Sequence, residues 1–245
     1  MLPLLAVDPS AATGPAAKRQ KTAGVVYFKA YKKGQFRQLS NLFGPVEWEF
    51  QAAKFKPGSG VKEWLLANSM KEWPVEEFDA ARKAMKHDGK LESYVAEDGA
   101  VASGLLAQMC SLIVRNPTSP DARKRLSFIL GNEQTMMPAS EAEAWVRDNV
   151  NPELSDTNKD ALLLELLRKK FAIPKYRLLL LSTGDSVLHE ARGRGAPNRY
   201  EFHPLTESQR SENDSLVAEG KAPKWSEGGD ALGKLMTIVR AELNV

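Results

Sequence analysis

Glu47, Gln51 and Lys54 are spaced four and three residues apart. Within a helix over Glu47–Phe55 they fall at i, i+4 and i+7, so a carboxylate, an amide and an amine rise one above another on a single face. Such a stripe is a poor core face, and Phe50, Ala53 and Trp48 or Phe55 must pack from the other sides. The spacing leaves two readings open. The stripe is solvated surface, with a Glu–Lys contact worth roughly 0.2–0.5 kcal/mol, or it is the wall of a site. Pro45 just ahead suits the first turn of a helix, where its missing N–H costs nothing. Glu47 then sits near the helix N-terminus, whose partial positive charge favours the ionised carboxylate.

The closing segment is a second candidate. Gly228-Gly229-Asp230 opens a helix with Leu232, Leu235, Met236 and Val239 on its buried face. Its free N–H groups make an anion seat; alternatively, Asp230 simply caps the helix. Ser40 and Asn41, polar between Leu39 and Leu42, either cap a turn or point at a ligand. His87 has no second His or Cys at ligand spacing. Gly193 stands where a zinc-protease helix starting at His189-Glu190 needs its second His, so no metal site is expected. Cys110, the only cysteine, lies in an apolar run and reads as a small buried hydrophobe in a reducing compartment.

The elements that must position these residues are mostly helices. Val25–Phe28 reads as a strand, Lys32–Gln35 as a turn, and Lys56–Gly60 as an interruption. From Val61 to about Val114 the apolar spacing is helical, with Trp64 and Trp73 as packing residues. Ser119 caps a helix beginning at Pro120, and Ser140 with Glu143 forms an imperfect capping box for another. Ser155-Asp156-Thr157 opens the strongest helix, whose terminal Arg168-Lys169-Lys170 complements its C-terminus. Leu178–Leu181 and Ser186–Ala191 read as two strands joined by a turn, and Ala196–Lys224 as a long polar loop that covers substrate or forms a surface insertion.

Composition bounds the partners. The chain has 245 residues, 42% hydrophobic and 27% charged, with a formal charge of +3. This suits an ordinary globular fold. Residues 1–24 hold Lys18, Arg19 and Lys21 against Asp8, a net +2, so the rest carries only 3 − 2 = +1. A body so near neutrality does not coat a polyanion, and nucleic-acid contact would be local. The tail is expected to be disordered. Its Pro15-Ala16-Ala17-Lys18-Arg19-Gln20-Lys21 is either a short nuclear-import signal or a plain basic tail. No run is long and apolar enough to span a membrane, and Met1–Val7 lacks the basic start of a signal peptide.

Together the two candidate segments carry a resemblance. Leu39-Ser40-Asn41-Leu42-Phe43 followed by Glu47-x-x-Phe50-Gln51-Ala52-x-Lys54-Phe55 resembles the opening motifs of the YbiA-like, or NADAR, family. Ser119-Pro120, Lys170-Phe171, Leu179–Gly184 and Glu190 resemble its middle landmarks in order. Gly229-Asp230-Ala231-Leu232-Gly233-x-Leu235-Met236-x-x-x-Arg240 resembles its closing motif, with Asp230 where the family commonly has Asn. The family's Asp-x-x-x-Trp-Gly segment after Glu190 is not recognisable; Arg192-Gly193-Arg194-Gly195 stands there. The resemblance covers 25–57 and 117–245, and 58–115 reads as a helical insertion.

The resemblance implies a mainly α, single compact domain over 25–245 with a small β element. It also implies an N-glycosidase that breaks a ribose C1″–N bond without a cofactor. Glu47 is the implied stabiliser or attacker at C1″, with Lys54 assisting by proton transfer or as a Schiff-base amine. Ser40, Asn41, Trp48, Gln51, Glu190, Tyr200, Gly229, Asp230 and Gly233 are implied substrate contacts, with Arg192 and Arg194 gripping a pyrophosphate. ADP-ribosylated guanine in DNA or RNA, hydrolysed to free ADP-ribose, is the first substrate class. A riboflavin-pathway ribosylamino-pyrimidine is the alternative, and a non-catalytic ADP-ribose or NAD-binding module is a third reading. The expected setting is intracellular, nuclear or cytoplasmic, with a monomer the expected state.

Overall fold

The structure is a computed structural model and describes residues 24–132, 136–191, 198–224 and 228–244. Ten α-helices and two small two-stranded sheets make up the described chain. The basic tail, Arg192 and Arg194 lie outside the described residues.

Strand β1 (Val25–Phe28) pairs in parallel with β2 (Val187–Glu190), Val25 opposite Val187 and Phe28 opposite Glu190. This pairing carries the start of the domain to Glu190. A single-turn 3-10 helix (Arg37–Leu39) leads through Ser40 and Asn41 to α1 (Val46–Ala52). Next come α2 (Val61–Ser69), α3 (Val75–Ala84), a short 3-10 turn (Leu91–Ser93) and α4 (Gly104–Arg115). They are followed by α5 (Pro120–Ile129), α6 (Ala139–Asn149), α7 (Asp156–Ala172) and α8 (Pro174–Leu181). After β2, strand β3 (Phe202–His203) pairs antiparallel with β4 (Gly228–Gly229), with α9 (Glu207–Ala218) between them and α10 (Ala231–Leu243) closing the chain.

Short α1 lies between two hydrophobic cores. Val46 joins Phe43, Leu167, Phe171, Leu232 and Met236 in one core. Trp48 and Ala52 join Phe55, Leu65, Phe78 and Leu106 in the other. With two faces committed to apolar burial, Glu47 and Gln51 are held on the third. Helix α4 closes against this arrangement because residue 104 is glycine. A Cβ there would lie 2.8 Å from the Leu42 Cα and carbonyl oxygen and 3.0 Å from the Glu47 Cβ. The Gly104 N–H donates to the Leu42 carbonyl at 2.8 Å. The 58–115 segment therefore packs directly on α1 and shares its core.

Two expected elements differ. Leu178–Leu181 belongs to helix α8, not to a strand. A short apolar run fits either state; Pro174 at the first helical position and packing of Tyr176 and Leu180 into the core decide for helix. Residues 196–224, read as a loop, contain β3 and α9. Helix α9 starts at a capping box in which Thr206 Oγ1 accepts from the Gln209 N–H at 3.2 Å and Gln209 Oε1 accepts from the Thr206 N–H at 2.9 Å. Ser119 caps α5 as expected, accepting from the Ala122 N–H at 3.1 Å, whereas α6 begins at Ala139 with no side-chain cap.

Candidate active site

A cleft of about 1250 Å³ opens where α1, α4, the Ser40–Asn41 turn, the end of β2 and residues 198–201 meet. It exceeds the usual ligand pocket of about 300–1,000 Å³. Glu47 and Gln51 of α1 and Lys54 in the turn after it form one wall; the helix expected over Glu47–Phe55 ends at Ala52, where the Lys54 and Phe55 N–H groups donate to the carbonyls three residues back.

Glu47 is 8% exposed, and its Oε1 accepts a 2.6 Å hydrogen bond from Gln51 Nε2, which fixes the carboxylate one turn above the amide. Burial pushes its pKa up, against the opposing pull of the Gln51 hydrogen bond and the charges of Lys54 and Arg115. The shift is opposite to the ionised form that the position near the helix N-terminus favours. Lys54 shifts the other way. Burial lowers its pKa, Glu47 raises it, and Arg115 and Lys159 lower it further. Its Nζ lies 5.8 Å from the Phe50 ring centroid and donates no hydrogen bond among the described residues. The pair is thus a carboxyl and an amine brought towards each other in proton affinity, with the amine available to a ligand.

The opposite side of the cleft holds a second carboxyl. Ser40, 2% exposed, donates its hydroxyl to Glu190 Oε1 at 3.0 Å. Burial pushes Glu190 up to about 7; Ser40 and Lys29 oppose this, and Glu201 and Glu47 add to it. Lys29 is itself buried and donates to the Ala191 carbonyl at 2.7 Å and to Glu201 Oε1 at 3.1 Å. Beneath the Ser40 turn, Lys170 is fully buried and donates to the carbonyls of Leu39 (2.9 Å) and Ser40 (2.7 Å). Burial lowers it to about 7, and Glu190 opposes that shift. Lys170 therefore braces the turn that aims Ser40 at Glu190.

The expected site residues divide. Ser40, Asn41, Glu47, Gln51, Lys54, Glu190 and Tyr200 line the cleft together. Asn41 Oδ1 and Gln51 Oε1 are buried without a partner among the described residues, so both are positioned to receive a donor. Trp48 is a correction: it is fully buried beside Trp64 and Trp73, and its indole N–H donates to Ser103 Oγ at 3.4 Å. A fully buried indole on the second core cannot reach a ligand in the cleft.

Gly229, Asp230 and Gly233 are also corrected. None lines the cleft. A Cβ on Gly229 would sit 1.9 Å from the Glu201 carbonyl oxygen, and one on Gly233 would sit 1.9 Å from that of Leu188, so both glycines permit close backbone packing. Asp230 adopts the left-handed conformation (φ 67°), makes no capping bond, and meets His189 Nδ1 at 2.9 Å through Oδ2. The first N–H of α10 donates to the Arg199 carbonyl at 3.0 Å. The first N–H is thereby taken by main chain, and the helix start does not line the cleft.

Several lining residues escaped the sequence reading: Lys29, Tyr31, Tyr94, Gln108, Arg115 and Glu201. Gln108, Ser111 and Arg115 follow one face of α4, with Arg115 donating to Ser111 Oγ at 3.0 Å. Their i, i+3, i+7 spacing beside an otherwise apolar helix was the available signal. No protein-family model, curated protein or solved structure matches the chain.

Proposed function

We propose that this chain is an N-glycosidase that hydrolyses the ribose C1″–N bond of ADP-ribosylated guanine in nucleic acid and releases ADP-ribose. The observation that carries the reading is the cleft wall itself. A carboxyl restrained by Gln51 stands beside an amine with no hydrogen bond among the described residues, and their pKa values are shifted towards each other. The resemblance of the flanking motifs to the NADAR family supports the substrate class.

In this mechanism the C1″–N bond breaks with its electron pair leaving on the guanine nitrogen. The ionised Glu47 stabilises the oxocarbenium-like centre and takes a proton from the water that adds to C1″. Lys54 supplies the proton to the departing nitrogen, or in its neutral form adds to C1″ of the ring-opened iminium and expels the guanine nitrogen, leaving a lysine Schiff base that water hydrolyses to ADP-ribose and the free amine. Lys32, Lys90 and Arg115 line the cleft and can meet the diphosphate. They take the anion-binding task from Gly229 and Asp230.

The test is incubation of the purified protein with an oligonucleotide carrying ADP-ribosyl-guanine. Free ADP-ribose and unmodified oligonucleotide are expected. No release, with cleavage of a ribosylamino-pyrimidine instead, transfers the activity to the riboflavin-type substrate; ADP-ribose binding with no turnover on either makes the chain a binding module. The nuclear or cytoplasmic setting belongs to the same proposal.

A further inference from the structure

The cleft has a second end, built largely by the 58–115 segment. His87, Lys90, Ser93 and Tyr94 line it opposite Tyr31 and Lys32 of the first turn. Two buried arginines shape this end. Arg82, 6% exposed, donates to the carbonyls of His87 (3.1 Å) and Gly89, and pairs with Asp79 at 2.7 Å. Arg37, 7% exposed, donates to the carbonyls of Ser93 (2.6 Å) and Val95 (2.8 Å). The backbone on both sides of Tyr94 is therefore clamped from within.

Further features set the rings. Lys86 holds a left-handed backbone (φ 51°), which is uncommon for a residue with a long side chain. Gly89 leaves space for rings: a Cβ there would lie 2.6 Å from His87 Cε1 and 3.2 Å from Tyr94 Cε2. The His87 and Tyr94 rings meet edge-on, 5.9 Å between centroids at 80°. His87 Nδ1 accepts the Gly89 N–H at 3.0 Å, which leaves Nε2–H as the donor of the neutral ring. Tyr31 is 39% exposed, with the Lys29 ammonium 4.8 Å from its ring centroid. Exposed Lys32 and Lys90 complete the rim.

We propose that Tyr31, His87 and Tyr94, flanked by Lys32 and Lys90, form a nucleotide subsite that stacks an aromatic base and holds its phosphate. Aromatic faces beside flexible cations are the chemistry that recognises a base without reading its sequence, and internally clamped turns keep the rings placed before the ligand arrives. The proposal rests on the reading of this cleft as a nucleotide-accepting site. The occupant is the adenosine-phosphate half of ADP-ribose or a nucleotide flanking the modified base, both presenting the same chemistry.

Isothermal calorimetry with AMP, ribose 5-phosphate, ADP-ribose and a 5′-phosphorylated single-stranded tetranucleotide tests this on the wild-type, Tyr31→Ala, Lys90→Ala and Tyr94→Phe proteins. AMP should bind at least tenfold tighter than ribose 5-phosphate, and Tyr31→Ala should raise its Kd about 5–100-fold, with Tyr94→Phe close to wild type. Tyr31 and Lys90 are exposed, so their variants should fold. A Tyr31→Ala loss for ADP-ribose alone assigns the subsite to the adenosine half, and a loss for the tetranucleotide alone assigns it to the flanking nucleotide. Equal binding of AMP and ribose 5-phosphate, or an AMP Kd unchanged in both alanine variants, overturns the proposal. Tyr31-dependent AMP binding without glycosidase turnover keeps the subsite and removes the hydrolase; turnover with unchanged KM in Tyr31→Ala does the reverse.

Discussion

The wall of the cleft and the floor beneath Ser40 each hold a lysine out of water, and they treat it differently. Lys170 on the floor is fully buried and satisfied by two backbone carbonyls. Lys54 on the wall is partly buried, lies against Phe50, and donates no hydrogen bond among the described residues. Burial lowers both pKa values. A lowered pKa alone therefore does not distinguish a brace from a reactive amine. The partners do: a lysine whose donors are occupied by main chain holds structure, and one whose donors are free beside a restrained carboxyl is available for chemistry.

Substitutions should separate the two. Lys54→Met removes no hydrogen bond, so Tm should stay within a few degrees of wild type while turnover falls about 10²–10⁴-fold, measured by single-turnover release of ADP-ribose. Equal turnover would reduce Lys54 to the same structural status as Lys170. Lys170→Met takes the lysine donor from the Leu39 carbonyl and leaves that of Ser40 with the Phe43 N–H; it should cost about 1–3 kcal/mol, read by denaturant unfolding. If stability is unchanged and activity lost, the floor lysine takes part in chemistry and the contrast fails.

Packing between floor and wall gives a similar but less specific effect. Gly104→Ala places a methyl 2.8 Å from the Leu42 backbone. It should cost about 1–3 kcal/mol by overpacking and lower turnover by displacing α4 from Glu47. A wild-type Tm would show that α4 has slack at this contact.

The smallest effect is electrostatic. Glu190 rises from its ordinary value to about 7, so between those values the folded state binds more protons than the unfolded one. Its contribution to stability is therefore greatest at low pH and falls as pH rises towards 7. Lys170, lowered to about 7, works in the opposite sense above that point: the unfolded lysine holds its proton longer, so stability recovers between pH 7 and about 10. Relative to wild type, Glu190→Gln should gain Tm as pH is raised from 5 to 8. A flat difference would show that Glu190 keeps an ordinary pKa.

Much of the arrangement was legible because α1 is local. Glu47 and Gln51 lie one turn apart on α1, and Lys54 follows two residues past its end at Ala52, so a helical period predicts their common side whatever surrounds it. Lys170 lies in the last turn of α7 as expected, but its burial went unread, although it follows Leu163, Leu166 and Leu167 on the apolar stripe. That register was the better signal. Gly229 read as part of an anion seat and Gly233 as a substrate contact because glycine serves both close ligand approach and close backbone packing, and only the positions of Glu201 and Leu188 tell these apart. Tyr31 and Tyr94 were not legible as partners, since no periodicity relates residues on separate turns.

The central claim concerns the carboxyl that Gln51 restrains. Single-turnover cleavage of an ADP-ribosyl-guanine oligonucleotide by wild type and Glu47→Gln, at matched Tm, tests it most directly. The wild type should release ADP-ribose, and Glu47→Gln should do so at least about 100-fold more slowly. Equal rates in the two proteins, or no release by the wild type, would contradict the assignment of this wall to glycosidic chemistry.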